Sequence, residues 1–241
     1  MNDKREDVKE QFLKDIKNHS VEIMNNDGIY RHLKFTNDGS QVYRFDIHTW
    51  PGHLCVCGDM GTYVFSRLHD MFEFFRNDEL KINPGYWGEK LQAVDADNAR
   101  SRNGNGYTEF SSDIFKDNVK EEYDRFCEDY ADDDEEEVTE AYPEETQSRK
   151  QQLDELWLEI REDVLSSSYD GADRAYDAAI NFSWESDDGE LNFDMHDFWE
   201  HDCNEYTFHY LWILYAIVWG IQQYDEGFKI TTTDELELAI D

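Results

Sequence analysis

Titratable side chains that can carry acid–base chemistry gather in one short stretch of the chain. Arg44, Asp46 and His48 alternate with apolar residues, which predicts that all three share one face of a β-strand. Asp59 follows the next predicted strand, so it can converge with them at one end of a sheet. Carboxylates and imidazoles act as general acids and bases and also bind divalent metals. The pattern fits a metal-dependent hydrolase or nuclease using Asp46, His48 and Asp59, although ordinary polar strand positions would show the same residues.

A second set of residues, His53, Cys55 and Cys57, has a spacing of two and so shares one face of the following strand. Structural zinc sites instead use a C-x₂₋₄-C turn that wraps round the ion. A free cysteine behaves as a small apolar residue and is commonly buried. The first residues lack the apolar run of a signal peptide, which favours a reducing compartment and free thiols. We therefore predict core positions here, with no metal ligand and no cofactor.

Residues 196–201, HDFWEH, contain two histidines and a glutamate, as metalloprotease helices do. The zinc-binding pattern needs histidines four residues apart, on one helix face. Here they are five apart, which separates them by roughly 140° around a helix. The sequence also lacks the G-x-x-x-x-G-K-[ST] and G-x-G-x-x-G loops that bind nucleotide phosphates, and the G-x-S-x-G turn of hydrolases. These absences favour a binding protein over an enzyme, with no catalytic residue to assign.

Negative charge is concentrated in the second half of the chain. The net charge is −35, yet residues 1–110 hold 18 acids and 14 bases, whereas residues 111–241 hold 39 acids and 8 bases. Residues 111–206 alone hold 33 acids, which on a helix amounts to one carboxylate per roughly 4.4 Å of axis. A DNA strand carries one phosphate per about 3.4 Å of axis. The similarity predicts an acidic surface that imitates DNA or RNA; the alternative is a solvated face with a disordered acidic loop over residues 131–142.

The predicted partner is a basic, nucleic-acid-binding protein rather than nucleic acid itself. Direct binding to nucleic acid needs a basic patch, and the chain has only 22 Lys and Arg. Because an exposed ion pair contributes only ~0–1 kcal/mol, the binding surface must be spread over many carboxylates. The predicted partner-binding residues are Asp132, Asp133, Asp134, Glu135, Glu136, Glu137, Glu140, Glu144, Glu145, Asp154, Glu155, Glu159, Glu162 and Asp163.

The residue pattern predicts an α+β fold: an N-terminal helix and a four-stranded antiparallel sheet, followed by an acidic helical half. The first helix is predicted at residues 3–24, and the strands at residues 30–35, 41–50, 53–57 and 62–68. A hairpin is expected around residues 188–189. Further helices are predicted at residues 69–76, 86–94, 112–130, 143–165, 170–180 and 196–224. We accordingly divide the chain into residues 1–110 and residues 111–241, the second region packing on the first.

The longest apolar stretch runs from about residue 208 to residue 221. It is shorter than the ~20 residues needed to cross a bilayer, and it has acids at both ends and no basic flank. A buried helix is therefore predicted, and the protein is expected in the cytoplasm, away from membranes. The aromatic residues of this helix allow a third interpretation, a dimeric scaffold protein whose last helix forms the interface.

Three stretches of the chain resemble a group of uncharacterised proteins carried by temperate bacterial phages and prophages. They are residues 48–76 (HTWPGHLCVCGDMGTYVFSRLHDMFEFFR), 82–93 (INPGYWGEKLQA) and 208–225 (FHYLWILYAIVWGIQQYD), and they cover about a quarter of the chain. The resemblance brings no catalytic role with it, but it implies a small accessory protein acting inside a bacterium. Strongly acidic phage proteins are, as a class, similar to inhibitors of restriction or CRISPR systems that imitate DNA. We therefore expect an inhibitor that binds the nucleic-acid-binding surface of a host defence protein.

Overall fold

The structure is a computed structural model that describes residues 4–99, 105–131 and 149–238. The α-helices in this part of the chain are α1 (Lys4–Asp15), α2 (Met71–Phe75), α3 (Pro84–Gly88), α4 (Ala96–Ala99), α5 (Ser112–Ala131), α6 (Arg149–Glu159), α7 (Ala172–Ile180) and α8 (Phe208–Leu238). The strands are β1 (Ser20–Asp27), β2 (Tyr30–Thr36), β3 (Phe45–Trp50), β4 (His53–Gly58), β5 (Gly61–Ser66), β6 (Leu91–Val94), β7 (Thr108–Phe110), β8 (Ser183–Glu185), β9 (Asn192–Asp194) and β10 (Asn204–Tyr206).

The chain forms two compact units. The residues before Phe110 and those after Glu205 form the first, which we call the sheet unit. The residues from Phe110 to Glu205 form the second, which we call the acidic unit. The first unit is interrupted after Glu109, and helix α8 groups with the sheet rather than with the acidic residues. The physical reason is its apolar character, which matches the apolar face of the sheet.

The sheet unit contains a six-stranded antiparallel sheet with strand order β1-β2-β3-β4-β5-β6. Strict alternation along β2–β5 sends one set of side chains, including Leu33, Phe45 and Val56, into the core with no exposed surface. Each such buried side chain contributes roughly 1.5–3 kcal/mol. The other face of the same strands carries the polar residues. The alternation predicted for residues 43–48 is thus confirmed at Phe45–His48.

Helix α8 supplies the apolar side chains that pack on the sheet. Its residues from Tyr210 to Val218 are all buried. Gly220 allows close approach, because a Cβ atom there would lie only 2.7 Å from Cδ1 of Ile47. The indole Nε1 of Trp212 donates a hydrogen bond of 3.0 Å to Asp15 in α1, so α1 and α8 are joined by a polar contact as well as by packing. In the described residues, no helix has both the length and the apolarity to cross a membrane.

The acidic unit has its own apolar core, built from α5, α6, α7 and the short β8–β9 hairpin. Phe115, Leu156, Ile160 and Val164 have no exposed surface, and Phe193 of the hairpin packs with them. Helix α6 continues into a π-helical turn (Ile160–Val164) and a 3₁₀ turn (Leu165–Tyr169). An independent core means that the carboxylates of this unit sit on a folded scaffold.

Several predicted elements need correction. The sheet has six strands and not four, because β1 and β6 were predicted as parts of helices at residues 3–24 and 86–94. The helix predicted at residues 196–224 begins only at Phe208; a 3₁₀ turn (Phe198–Glu200) and β10 occupy its first part. The helix predicted at 143–165 runs over Arg149–Glu159, and residue 143 lies outside the described part. The α+β class, the hairpin near residue 188 and the other helices are confirmed.

Candidate functional site

The acidic unit presents nearly all of its carboxylates to solvent. Residues 110–205 hold 33 acids and 7 bases, and 24 of those acids lie in the described ranges. Of these 24, 22 are exposed, and the other two, Glu122 and Glu205, are half-buried. Carboxylates that hold a fold together are commonly buried and paired, whereas these surround the core without entering it. The unit therefore offers a dense negative surface on a folded scaffold.

Helix α5 shows how the sequence places this charge. Five of the six exposed acids of α5 recur at intervals of three or four residues, which puts them on one side of the helix. Phe115 and Val119, on the other side, are fully buried in the core of the unit. The acids on the exposed side are Asp113, Asp117, Glu121, Asp124 and Glu128. They span 16 residues, or about 22 Å of helix axis.

The predicted partner-binding residues divide into two groups. Five of them lie along α6 and the following π-helical turn, and all five are exposed, while Leu156, Ile160 and Val164 between them point into the core. These five are Asp154, Glu155, Glu159, Glu162 and Asp163. The remaining nine lie outside the described residues. These nine are Asp132, Asp133, Asp134, Glu135, Glu136, Glu137, Glu140, Glu144 and Glu145. The predicted set omitted the stripe on α5, although its spacing was visible in the sequence.

Most bases of the acidic unit are engaged by neighbouring acids. Arg125 pairs with Glu122 at 3.0 Å, and Arg174 pairs with Asp170 at 3.2 Å. Arg149 pairs with Glu190, and Lys120 pairs with Asp124 one helical turn away. These cations neutralise a few carboxylates locally, and the large surplus of negative charge remains available to a partner.

A cleft of about 520 Å³ in the same unit contains the two histidines of the HDFWEH stretch. Nε2 of His201 lies 2.8 Å from Oε1 of Glu122, and the ring of His196 contacts the carbonyl oxygen of Ile180 at 3.1 Å. The two rings thus have different partners, and the stretch is not a helix. The two histidines therefore flank a 3₁₀ turn and do not lie on the α-helix predicted at residues 196–224.

A second group of functional side chains lies on the polar face of the six-stranded sheet. We call His32, Asp46, His48, Cys55 and Cys57 the sheet cluster. Strand register places His32 opposite His48, His48 opposite Cys55, and Asp46 opposite Cys57. The rings of His32 and His48 stack with their centroids 4.0 Å apart, and Nε2 of His32 lies 3.0 Å from Oδ2 of Asp46. Three adjacent strands therefore hold the cluster together.

Asp46 is the buried centre of the sheet cluster, with only 4% of its surface exposed. A buried carboxylate needs charged or hydrogen-bonding partners, because desolvation of an unpaired charge costs several kcal/mol. Arg44 donates from Nε to Oδ1 of Asp46 at 3.1 Å, and His32 faces Oδ2. Asp46 and His48 therefore lie on one face of β3 as predicted, whereas Arg44 precedes the strand and reaches Asp46 with its side chain.

The cysteines of the sheet cluster have opposite protonation behaviour. Hydrogen bonds from Cys55 and from His48 lower the pKa of Cys57 to about 5. The pKa of His48 is raised, chiefly by its hydrogen bond with Cys57. The pKa of Cys55 is raised because its thiol is hydrogen-bonded to Cys57 and partly buried. The Cys57 thiol is therefore the more acidic of the two.

Two of the residues singled out from the sequence lie outside the sheet cluster. Asp59 accepts a hydrogen bond of 2.8 Å from the backbone N–H of Tyr43, so it braces a turn. His53 stacks on Trp50 with ring centroids 5.2 Å apart, and its Nδ1 contacts the carbonyl oxygen of Pro51. The donor atoms that lie within 4.8 Å of one another belong to His32, Asp46 and His48, and Asp59 is not in that group.

Similarity to known proteins offers no function to transfer. No protein-family model, curated protein or solved structure matches the chain. Function must therefore be inferred from the charges and contacts of the chain itself.

Residue His32 is the member of the sheet cluster that sequence reasoning missed. It lies on β2, 14 residues before Asp46, and no spacing rule within one strand connects the two. Pairing of β2 with β3 brings them together, because His32 and His48 are direct cross-strand partners. The sequence does contain one indication, because polar His32 and Lys34 alternate with buried Leu33 and Phe35. This alternation places His32 on the polar face of the sheet.

Proposed function

We propose that the protein is an acidic inhibitor that binds the nucleic-acid-binding surface of a host defence protein by imitating DNA or RNA. The observation that carries the proposal is the exposure of 22 of the 24 described acids in a unit with its own apolar core. A basic groove recognises the charge pattern of phosphates, and carboxylates fixed on helices can supply a similar pattern. The resemblance to phage-borne proteins supports a partner that belongs to a bacterial host.

The electrostatic cost of the acidic unit supports a binding role. Like charges on one small unit repel one another and weaken its folded state. A cationic partner removes that repulsion, and both partners release bound counterions when they associate. Binding of this kind weakens steeply as salt concentration rises. For six to ten charge contacts, the affinity falls by a factor of about 10³–10⁵ between 50 and 200 mM salt.

Binding should depend on the total charge of the surface and not on one residue. An exposed ion pair contributes ~0–1 kcal/mol, so single substitutions have small effects. A useful variant therefore reverses several described carboxylates at once. We choose four residues of α6 and the π-helical turn, which are exposed and form no ion pair with any cation in the described part of the chain. The substitutions are Asp154→Lys, Glu159→Lys, Glu162→Lys and Asp163→Lys.

The test begins with capture of partners from a nuclease-treated bacterial lysate at about 50 and about 200 mM salt. A captured partner is then purified, and its binding to duplex DNA or to RNA is measured with increasing amounts of the protein. We expect competitive loss of nucleic-acid binding at low salt, and at least a tenfold weaker effect from the four-site variant.

A matched control changes the same amount of charge in the sheet unit. Its substitutions are Asp27→Lys, Glu73→Lys, Asp78→Lys and Glu89→Lys, all at exposed positions. The control should inhibit as well as the wild type does. Two results would contradict the proposal. One is that the four-site variant inhibits as well as the wild type does. The other is that a captured partner still binds nucleic acid when it is saturated with the protein.

The dimeric scaffold interpretation loses its expected interface. Tyr210, Trp212 and Tyr215 of α8 are at most 2% exposed, because they pack inside the sheet unit. Aromatic residues that are already buried cannot cover a second subunit. A dimer would have to use other residues, and light scattering of the purified protein measures its mass directly.

A further inference from the structure

We propose that His32, Asp46 and His48 form a binding site for a divalent transition-metal ion of the zinc class. One donor atom from each of the three lies within 4.8 Å of the others. The site belongs to the sheet unit and is independent of the acidic surface on which the proposed function rests. It departs from the sequence expectation, which assigned no metal.

The backbone already arranges the donors. Asp46 and His48 are two residues apart on β3, so both point to the same face. His32 is the direct cross-strand partner of His48 on β2. Asp46, His48 and the cross-strand residue His32 therefore converge without the help of a loop. Strand pairing restricts the movement of their backbone.

The distances suit a metal after small side-chain movements. Zinc binds imidazole nitrogen and carboxylate oxygen at about 2.0–2.2 Å, which puts neighbouring donors of a tetrahedral site roughly 3.4 Å apart. Nε2 of His32 and Oδ2 of Asp46 are 3.0 Å apart, close to that separation. The stacked rings of His32 and His48 must turn about their side-chain bonds until both lone pairs meet at one point, which exchanges a ring contact for two metal bonds.

Neighbouring side chains supply the outer contacts that metal ligands commonly have. Arg44 holds Oδ1 of Asp46, which leaves Oδ2 to face the site. Strand pairing places Cys55 of β4 directly opposite His48, on the side away from His32 of β2. Three protein donors leave a fourth position for water or a substrate, as in catalytic zinc sites and unlike closed structural ones.

The choice of ion follows from the donor set. Two imidazoles and one carboxylate favour zinc and its neighbours among the transition metals over magnesium or calcium, which take mainly oxygen donors. The exposed carboxylates of the acidic unit offer oxygen atoms alone, so any cations they attract should be held weakly. The sheet cluster is therefore the place where Zn²⁺ or Co²⁺ should bind tightly.

The test uses the full chain after removal of metal by a chelator, with Zn²⁺ and Co²⁺ as the probes. Affinity is measured by competition with a chromophoric chelator. We expect one tight equivalent, visible Co²⁺ absorption of a four- or five-coordinate ion, and no sulfur-to-cobalt charge-transfer band. His32→Asn and His48→Asn should each weaken binding by more than about 100-fold, beyond the effect usual for an outer contact.

The matched control is His53→Asn, which changes a histidine on the same face of the same sheet. Its affinity should equal that of the wild type, as should that of Asp59→Asn. Unfolding curves of every variant without metal check its folding, and X-ray absorption of the zinc-loaded wild type counts nitrogen, oxygen and sulfur ligands without any substitution. Absence of a tight equivalent, sulfur in the ligand shell, or equal affinity in a folded His32→Asn variant would overturn the assignment.

Discussion

His48 on β3 and Cys57 on β4 are diagonal neighbours across the strand pair, because the direct partner of His48 is Cys55 and that of Cys57 is Asp46. Hydrogen bonding with Cys55 and with His48 lowers the pKa of Cys57, and hydrogen bonding with Cys57 raises the pKa of His48. Cys55 donates a further hydrogen bond to Cys57 and stays a thiol. Two cysteines only two residues apart should therefore differ sharply in reactivity.

In the metal-free protein, Cys57 should react with iodoacetamide about tenfold faster than an ordinary thiol at pH 6. With a pKa of about 5 it is almost fully thiolate there, whereas a thiol of pKa ≈ 8.5 is only about 0.3% thiolate. The roughly 300-fold gain is reduced about 30-fold by the lower nucleophilicity of a more acidic thiol. Mass spectrometry of the labelled peptide as a function of pH measures the rate at each cysteine.

The rate at which Cys57 is alkylated should fall as the pH is lowered through about 5. His48→Asn should shift the midpoint of this profile to higher pH. Cys55 should stay unreactive until well above pH 9, since its pKa is raised. A wild-type profile for Cys57 centred near pH 8.5, unchanged by His48→Asn, would show that the two side chains do not interact.

Gly58→Ala should destabilise the sheet unit by on the order of 3 kcal/mol, the upper end of the range for overpacking. A Cβ atom at this position would lie 2.1 Å from the carbonyl oxygen of Arg44 and 2.7 Å from Cα of Phe45. Both are backbone atoms of the strand pairing, so they cannot turn aside as a side chain can. Urea unfolding gives the free energy.

A matched glycine in α8 provides the control for that substitution. A Cβ atom on Gly227 would meet nothing within 4 Å, so Gly227→Ala should gain up to ~1 kcal/mol of helix propensity. Equal urea midpoints for the two variants would mean that the close approach at Gly58 is not a constraint.

Asp188→Asn should lower the melting temperature at pH 7 and have little effect at pH 2. Hydrogen bonds from Ser186, from the backbone of Glu190 and from Gln152 lower the pKa of Asp188 to about 2. A carboxyl group with a pKa depressed in the folded state stabilises it above about pH 4, the unfolded value, and that contribution is lost as pH falls towards 2.

The neighbouring exposed residue Asp187 gives the comparison, because Asp187→Asn removes the same charge without those hydrogen bonds. Thermal unfolding by circular dichroism at both pH values distinguishes the variants. If Asp188→Asn changed the melting temperature equally at pH 7 and pH 2, hydrogen bonding to the ionised carboxylate would not be the cause.

Added salt should raise the melting temperature of the wild-type protein. The screening length falls from about 30 Å at 0.01 M to about 8 Å at 0.15 M, which weakens repulsion among the exposed carboxylates. A variant with amides at four sites, Asp154→Asn, Glu159→Gln, Glu162→Gln and Asp163→Asn, should melt higher at low salt and gain less from salt. A melting temperature that falls with salt would show that attractive ion pairs outweigh the repulsion.

Strand prediction succeeded where one face of the strand is buried. β2–β5 alternate apolar and polar residues because they pack on α8 from one side only. The outer strand β1 carries no such pattern: Val21 is half-buried and the other seven residues are exposed. An edge strand with few buried side chains has little apolar periodicity to detect. Its first residues were therefore predicted as the end of the preceding helix.

The start of α8 was misplaced for a different reason. Phe198 and Cys203 are buried in the core of the acidic unit, whereas the apolar residues from Tyr210 onward are buried in the sheet unit. The two sets are contiguous in the chain and look like one apolar run. Only the tertiary structure shows that they belong to different cores.

Side chains of the candidate sites were predictable to the extent that one element positions them. Alternation along β3 placed Asp46 and His48 together, and helical spacing placed Glu155, Glu159 and Glu162 outward. His32 was missed because cross-strand register depends on pairing between segments, which the pattern within one strand does not contain.

The helix that covers the apolar face of the sheet is synthesised after the whole of the acidic unit. About 110 residues separate β6 from α8, and at about 5–20 residues per second the ribosome needs on the order of ten seconds to make them. During that interval Leu33, Phe45 and Val56 have no cover from α8, while the intervening unit can already fold around its own core. The nascent chain therefore exposes an apolar sheet surface to which chaperones can bind. The amount of folded protein in the cell should depend on that binding.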